Sequence, residues 1–366
     1  MSLGLRQQMQ IKPADFDFSL PGLDQNDFVG EMRVSATYDA TTKVVLVHLI
    51  GVICELAVVL NGVLTVVDLG SASEVDQVPP SYDDTRRWSR ELDRWYERAL
   101  TRLLVPISVP GAHESLIIFT NMVYIYYYTA KAFLGHYMLL LLTVGDWNQD
   151  DLDGLRLQTQ MGMIASLRSI TDNLFELQNM GLSQFLPNTF IGFSALPFIW
   201  YLLDVRSKPV RSLHKDERGL RVYIDIMRQF RSRCESTDEV LLYIEKTVQH
   251  IQTDKSLKEL SPALIGPASH SRRESTTVLT PRSFTSSRDD LAHIFLKDPL
   301  VFLRISMTVD FSLSRGRFPS EAEFPKQLRA IQQEDEIPDL VFLAHIPDTK
   351  WWMCLQEVLD KGLLGG

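Results

Sequence analysis

Apolar residues recur every three or four positions along most of this chain, which is the spacing of one face of an α-helix. The clearest example is residues 83–104, whose apolar positions are Trp88, Leu92, Trp95, Ala99 and Leu103. Asp83 and Asp84 suit the start of this helix, because negative side chains are favourable at a helix N-terminus. We expect Pro106 and Pro110 to end it, since proline does not continue a helix.

The same pattern predicts helices along most of the remaining chain, and no strand pattern persists beyond the opening segment. The predicted helices are 39–66, 113–144, 155–180, 218–233 and 237–251, with an apolar helix in 185–205 and a last element in 298–325. Gly181 is expected to stop the helix before it, and residues 145–154 are predicted to form a turn. The predicted fold is all-α, a multi-helix domain with one disordered loop.

Two apolar segments, 44–67 and 116–144, are long enough to span a bilayer of about 30 Å. Polar residues interrupt both of them, namely His48, Glu55 and Asn61 in the first, and Asn121, Lys131 and His136 in the second. Ionisable groups near a helix centre are costly in a membrane, at about 2.5–3.5 kcal/mol each. We therefore expect two buried core helices and no membrane span. Cys54 is expected to be a buried free thiol, and His48 and His136 to be core histidines.

The composition of the chain indicates how it divides into domains and in which cellular compartment it resides. The chain has 366 residues, 45% of them hydrophobic, and a net charge of −9, which argues against nucleic-acid binding by the whole chain. The three cysteines lack zinc-finger or redox spacing and fit a reducing compartment. We predict a helical domain over 1–258, a flexible Ser/Pro/Arg-rich linker over 259–290, the C-terminal helical part of the same domain over 291–334, and a tail over 335–366.

A row of arginines on the predicted helix 83–104 invites a DNA-binding interpretation. The row consists of Arg86, Arg90, Arg94, Arg98 and Arg102. Steps of four overshoot the helical turn by about 40°, so the row winds around the helix. Acidic residues lie among them at ion-pair spacing, as in Arg90–Asp93 and Arg94–Glu97. We expect a solvated or ion-paired face.

The sequence predicts no catalytic, cofactor-binding or metal-ligating residue. The chain lacks GxSxG, HExxH, a P-loop and a GxGxxG at a strand–helix turn. A terpene-cyclase-like enzyme is an alternative, but the pair Asp83-Asp84 lacks the third aspartate of a DDxxD motif. Aromatic residues leave a second alternative open, a helical small-molecule-binding module. Its pocket would be lined by Tyr124, Tyr127, Phe193 and Trp200.

Five blocks of sequence, in order over about residues 3 to 330, carry a family resemblance. They are "LGLRQQMQIKPADFDFSLP", "RRWSRELDRWYERALTRL", "MVYIYYYTAKAFLGHYML", "MGLSQFLPNTFIGFSALPFIWYLLDV" and "DPLVFLRISMTVDFSLSRGRFPSEAEFP". The chain resembles the fungal-specific transcription factor domain, the middle homology region of Zn(II)2Cys6 regulators, and within it the cutinase transcription factor 1 beta group. Gln7 stands where the family usually has proline, and Gly135-His136-Tyr137 replaces a His-Arg-Pro step.

The resemblance implies an all-α regulatory domain in the nucleus, without catalysis or cofactor, that controls transcription of a gene set such as a specialised-metabolism cluster. Six cysteines precede this domain in the family and form the zinc cluster that reads DNA. The chain lacks them, so we expect an N-terminally incomplete regulatory domain without a DNA-binding module of its own. The implied partners are a DNA-binding transcription factor, a dimer mate and a small-molecule effector, with DNA contacted only indirectly and no membrane.

Overall fold

The computed structural model describes residues 25–34, 36–67, 81–107, 112–145, 149–207, 217–253, 299–325 and 328–329. Predictions for the opening segment, the linker 259–290 and the tail 335–366 fall outside the described residues. Within the described part, 87% of residues are helical and no strand occurs, so the predicted all-α fold is confirmed.

The described part of the chain contains nine α-helices. They are α1 Val29–Val34, α2 Ala40–Val67, α3 Tyr82–Ile107, α4 Glu114–Val144, α5 Gln149–Asn179, α6 Phe190–Ser207, α7 Glu217–Arg231, α8 Ser236–Thr253 and α9 Pro299–Arg315. Short 3-10 helices cover Gln25–Phe28, Ser183–Phe185 and Glu321–Glu323. All seven predicted helical regions are therefore helical, with bounds that differ by a few residues at most ends.

Helix α4 is the centre of the first half of the fold, because it packs against α2, α3 and α5. The second half is built from α6, α7, α8 and α9, which contact one another. Contacts of α5 with α7 and of α9 with α4 join the two halves, and the buried apolar side chains form one continuous cluster from Leu49 to Leu328. This cluster is the core that holds every element discussed below in place.

Local sequence signals explain several helix ends. Asp39 accepts a hydrogen bond from the backbone N–H of Thr42 at the start of α2, at 2.9 Å. Ser81 and Asp84 bond each other reciprocally at the start of α3, and this lowers the pKa of Asp84. Gly181 has φ of 70°, which closes the end of α5 in the left-handed region and confirms the predicted stop.

Two helix boundaries differ from the sequence prediction. Helix α3 continues through Pro106 to Ile107, although a proline there loses one backbone hydrogen bond and its ring crowds the carbonyl four residues earlier. Helix α5 begins at Gln149, so most of the predicted turn 145–154 is helical. Asp150, Asp151 and Asp153 fall in the first turns of α5, where the helix dipole favours negative charge.

Candidate functional site

Tyrosines of α4 form an aromatic cluster with Tyr96 of α3. The ring of Tyr127 stacks on Tyr96 with centroids 4.5 Å apart, and Tyr124 lies edge-on to the same ring at 6.3 Å. The hydroxyls of Tyr96 and Tyr128 are 3.3 Å apart and hydrogen bonded. The structure therefore brings two of the four predicted pocket residues, Tyr124 and Tyr127, to the α3–α4 interface.

A polar network adjoins this cluster and links the same two helices. The Lys131 ammonium donates hydrogen bonds to both carboxylate oxygens of Asp93, at 2.8 and 3.0 Å, and to the Ser89 hydroxyl at 3.2 Å. The Tyr127 hydroxyl donates to Asp93 at 3.2 Å. Burial and the nearby Asp93 carboxylate both raise the pKa of Tyr127, so its hydroxyl stays protonated and remains a donor.

The other two predicted pocket residues lie against a different side of α4. Phe193 of α6 packs on the ring of Tyr126, with centroids 5.2 Å apart, and Phe190 lies 5.4 Å from the same ring. Trp200 is buried further along α6, at 6% exposure. Tyr126 is two positions from Tyr124, about 200° around the helix, so the predicted lining is divided between two interfaces.

The effector pocket lined by these four residues stays a prediction. Tyr96 and Tyr126 were not predicted from the sequence. Each lies at the centre of one of the two aromatic interfaces. A signal for Tyr96 existed, because it lies four positions after Leu92 and three before Ala99, both on the predicted apolar face of α3. No periodicity could select Tyr126, since α4 is apolar on nearly all sides and every tyrosine there has similar neighbours in sequence.

The arginine row of α3 is solvated or paired, but with other partners than the sequence indicated. Arg94 pairs with Glu91 at 2.5 Å, and Asp93 pairs with Lys131 of α4. The predicted pairs Arg90–Asp93 and Arg94–Glu97 are therefore wrong. The reason is that Asp93 faces α4, where a lysine of another helix reaches it.

Arg102 makes the one ion pair of this row that joins α3 to α2. Its guanidinium donates to both carboxylate oxygens of Glu55, at 2.9 and 2.6 Å. This bidentate bond, together with the charge of Arg102 and of Arg98, lowers the pKa of Glu55. The acidic group in the middle of α2 is thus neutralised by its neighbour helix.

Of the aspartate pair considered for the terpene-cyclase alternative, Asp84 is engaged with Ser81 at the start of α3 and Asp83 is exposed. Within the residues that the structure describes, no group of three or more His, Cys, Asp or Glu side chains could hold a metal ion.

The two histidines expected in the core have different surroundings. His136 is buried at 2% exposure, and its Nδ1 lies 3.6 Å from Oδ2 of Asp310 on α9. His48 is exposed on α2, so that expectation is wrong for it. The difference follows from the helix each occupies, since α4 is covered by other helices on most sides and α2 is not.

Helix α2 leaves an apolar face exposed along its length. Val44, Ile50 and Val58 are exposed by 39%, 36% and 74%. Leu49, Val52, Leu56 and Val63 on the opposite side are buried at 3% or less. We call the exposed side the α2 face and define it by Val44, Val47, Ile50, Gly51, Cys54, Ala57, Val58 and Asn61, which are exposed or half-buried.

Cys54 belongs to this face and is exposed, so its predicted burial is wrong. It lies two residues from both Val52 and Leu56, which is about 200° around the helix from the side that packs on the core. The most apolar window of α2 has a mean hydropathy of 2.4, and 17% of it is buried. The prediction that this whole segment is buried therefore fails for one side of the helix.

By length and composition alone, α2 is the one helix in the described ranges that could cross a membrane. A core helix of a soluble protein passes the same test, so the finding is weak evidence for a span. Its surroundings weigh against one, because a bilayer around α2 would also enclose the charged groups of Glu55, Arg98 and Arg102.

Comparison with known proteins gives no match: no family model, no curated protein and no solved structure is similar to this chain.

Proposed function

We propose that this chain is a non-catalytic regulatory domain of a transcription regulator, of the kind found in fungal Zn(II)2Cys6 proteins, and that it acts in the nucleus by binding another protein. The transcriptional part of the proposal rests on the sequence resemblance. Four of the five blocks that carry the resemblance contribute to α3, α4, α6 and α9, which belong to one continuous core, and the first block lies outside the described residues.

One observation supports protein binding, namely the exposed α2 face. Apolar side chains scattered singly on a surface need no explanation, but a contiguous apolar patch marks an interaction site. Here exposed apolar residues recur from Val44 to Val58 on one side of α2. The polar groups of the α3–α4 interface, in contrast, bond one another, as Asp93, Lys131 and Tyr127 do.

The proposal is tested by attaching the full chain to an unrelated DNA-binding module in a yeast reporter strain. We expect the fusion to change reporter transcription, and Val58→Asp to remove that change by placing a charge on the α2 face. The matched control is Leu157→Asp on α5, because Leu157 is also an exposed apolar residue, at 51%.

A fusion with no effect on the reporter, at verified expression and nuclear entry, would refute the regulatory proposal. Equal loss of effect from Val58→Asp and Leu157→Asp would show that the α2 face is not the contact. The purified chain is expected to have no sequence-selective DNA binding at physiological salt. A sequence-selective mobility shift of DNA by the chain alone would contradict the proposal that it needs a DNA-binding partner.

A further inference from the structure

We propose that three half-buried tyrosines, Tyr96 of α3 with Tyr124 and Tyr128 of α4, form a binding site for a trimethylammonium group. We call these three residues the tyrosine cage. The inference goes beyond the proposed function, because it depends neither on the α2 face nor on a role in transcription. The cage also differs from the predicted effector pocket, since Phe193 and Trp200 belong to the interface with α6 and take no part in it.

The rings of the tyrosine cage stand at steep angles to one another. The ring centroids of Tyr124 and Tyr128 lie 6.3 and 6.2 Å from that of Tyr96, and their planes are inclined to it by 62° and 55°. A spacing of four residues places Tyr124 and Tyr128 next to each other on one side of α4. A cation is attracted to an aromatic ring within about 6 Å of the ring centroid. Three rings at these distances are therefore able to act on the same cation.

The cage is held in place from below and is accessible from outside. The buried Tyr127 stacks on Tyr96 with centroids 4.5 Å apart, and its hydroxyl is bonded to Asp93. The three cage residues are only half-buried, whereas Trp95 and Ile125, their neighbours in sequence, are completely buried. A ligand thus reaches the rings without opening the core, and the rings lose little freedom when it binds.

The charges around the cage favour a cation. Burial raises the pKa of Tyr124, and the nearby Tyr128 hydroxyl and Glu176 carboxylate raise it further, which places this acidic group of α5 beside the cage. Among the residues that the structure describes, the Glu176 side chain has no ion-pair partner. The Lys131 ammonium, on the same side of α4, is already neutralised by Asp93 at 2.8 and 3.0 Å. Glu176 is therefore available as the counter-ion of a bound cation.

The hydroxyls of the cage explain why the cation should be a quaternary one. Those of Tyr96 and Tyr128 are hydrogen bonded to each other at 3.3 Å, so the cage offers ring faces more than free acceptors. Burial and this bond raise the pKa of Tyr96, which keeps its phenol neutral. A primary ammonium would lose hydrogen bonds to water and regain few of them here. A trimethylammonium group has no N–H to satisfy and binds through its charge and its methyl groups.

The first experiment titrates the full chain with choline and follows the ring signals of isotope-labelled tyrosines by NMR. We expect saturable shifts with a Kd on the order of 1 mM, as three cation–π contacts on a surface allow. The control ligand is 3,3-dimethylbutan-1-ol, which has the shape of choline without its charge. It should bind at least about tenfold more weakly, because the cation–π attraction is missing.

Matched variants locate the site. Tyr128→Leu removes one ring and should weaken choline binding about tenfold, whereas Tyr128→Phe keeps the ring and should bind within about threefold of the unaltered chain. The control is Tyr243→Leu on α8, because Tyr243 is also half-buried and lies against another ring, that of Phe318, at 5.5 Å. It should bind choline like the unaltered chain. Circular dichroism and thermal unfolding establish that each variant is folded.

A further variant tests the counter-ion and leaves every ring in place. Glu176→Gln should weaken choline binding about threefold and leave the binding of 3,3-dimethylbutan-1-ol unchanged. Because Glu176 is half-buried at the side of the cage, this substitution also keeps the test decisive if Tyr128→Leu does not fold.

Two sources present the same chemical group, namely a free small molecule and a trimethylated lysine side chain of a protein. The second experiment therefore titrates a peptide with one trimethyllysine, with the unmethylated peptide as its control. Tighter binding of the trimethylated peptide than of choline would support the cage with a protein ligand, and the reverse order would support it with a small molecule. The unmethylated peptide should bind neither the chain nor its variants.

Three results would overturn the inference. The first is the absence of tyrosine shifts with choline and with the trimethylated peptide at concentrations far above the expected Kd. The second is equal binding of choline and its uncharged control, which would show an apolar surface without preference for a cation. The third is unchanged choline binding by a folded Tyr128→Leu variant, which would place the site elsewhere. None of them bears on the reporter experiment, so a failure of the cage and a failure of the proposed function are distinguishable.

Discussion

Helices α2 and α4 have similar lengths, 28 and 31 residues, and a similarly apolar composition, yet they lie in different environments. Helix α4 has α2, α3, α5 and α9 around it, and residues on nearly every side are buried. Helix α2 contacts α1, α3 and α4, which cover one side of it. Apolar composition thus indicates which helices are able to enter the core, while the number of neighbouring helices decides how much of each is buried.

The largest contrast between the two helices is expected from matched aspartate substitutions. Ile125 of α4 is completely buried and Val58 of α2 is 74% exposed. Ile125→Asp places an unpaired charge in the core and should cost at least about 4 kcal/mol, enough to prevent folding. Val58→Asp should change the free energy of unfolding of the monomer by less than about 0.5 kcal/mol.

Chemical denaturation measures both values. A folded Ile125→Asp variant with near-normal stability would show that α4 is not surrounded as described. A large loss from Val58→Asp in the monomer would show that the α2 face is covered by the chain itself.

Alanine substitutions at two glycines of α2 are expected to give an intermediate difference in stability. A Cβ atom at Gly62 would lie 2.0 Å from the ring of Trp88, whereas one at Gly51 meets nothing within 4 Å. Gly51→Ala should stabilise the monomer by about 1 kcal/mol through helix propensity. Gly62→Ala receives the same gain but must displace Trp88, at a cost of roughly 1–3 kcal/mol.

The difference between the two alanine variants isolates the contact with Trp88, because the propensity gain is common to both. Thermal unfolding measures that difference, and Trp fluorescence reports whether the ring has moved. Equal stabilisation by both substitutions would contradict the close approach of α2 to α3.

The smallest effect is expected at the α3–α4 interface. Asp93→Asn removes the charge that pairs with Lys131, but Asp93 is 49% exposed, so the loss of stability should be about 1 kcal/mol or less. The pKa of Tyr127 should fall, because the Asp93 carboxylate contributes to raising it, yet stay above its ordinary value, since burial is the larger cause.

NMR titration of the tyrosine rings follows this change. Glu91→Gln serves as the control, because Glu91 pairs with Arg94 on the outer side of α3. We expect no change of the Tyr127 pKa in that variant. A Tyr127 pKa unaffected by Asp93→Asn would contradict the hydrogen bond between these two side chains.

The fold was predictable from the sequence to the extent that local rules determine it. The three- and four-residue periodicity identified the helices, and Gly181 identified the end of α5 because only a residue tolerant of positive φ suits that position. The start of α5 was misjudged because aspartates and a glycine are common both in turns and in first helical turns.

The candidate site was less predictable because it depends on which helices become neighbours. Cys54 lies in an apolar run, and nothing within that run tells which side of the helix remains uncovered. Asp93 has arginines at ion-pair spacing on its own helix, but it pairs with Lys131, which is 38 positions further along the chain. Tertiary packing determines which side of a helix is covered and which residues pair, and the local sequence does not indicate either.

The contact between Gly62 and Trp88 also fixes the axial register of α2 against α3. Moving α2 along its axis by one turn, about 5.4 Å, would bring Val59 or Val66 under the indole ring. Either branched side chain would collide with the ring where the glycine leaves room. Helices α2 and α3 are therefore expected to move as one rigid unit, so that any displacement of the α2 face by a bound partner is transmitted directly to the tyrosines packed against α3.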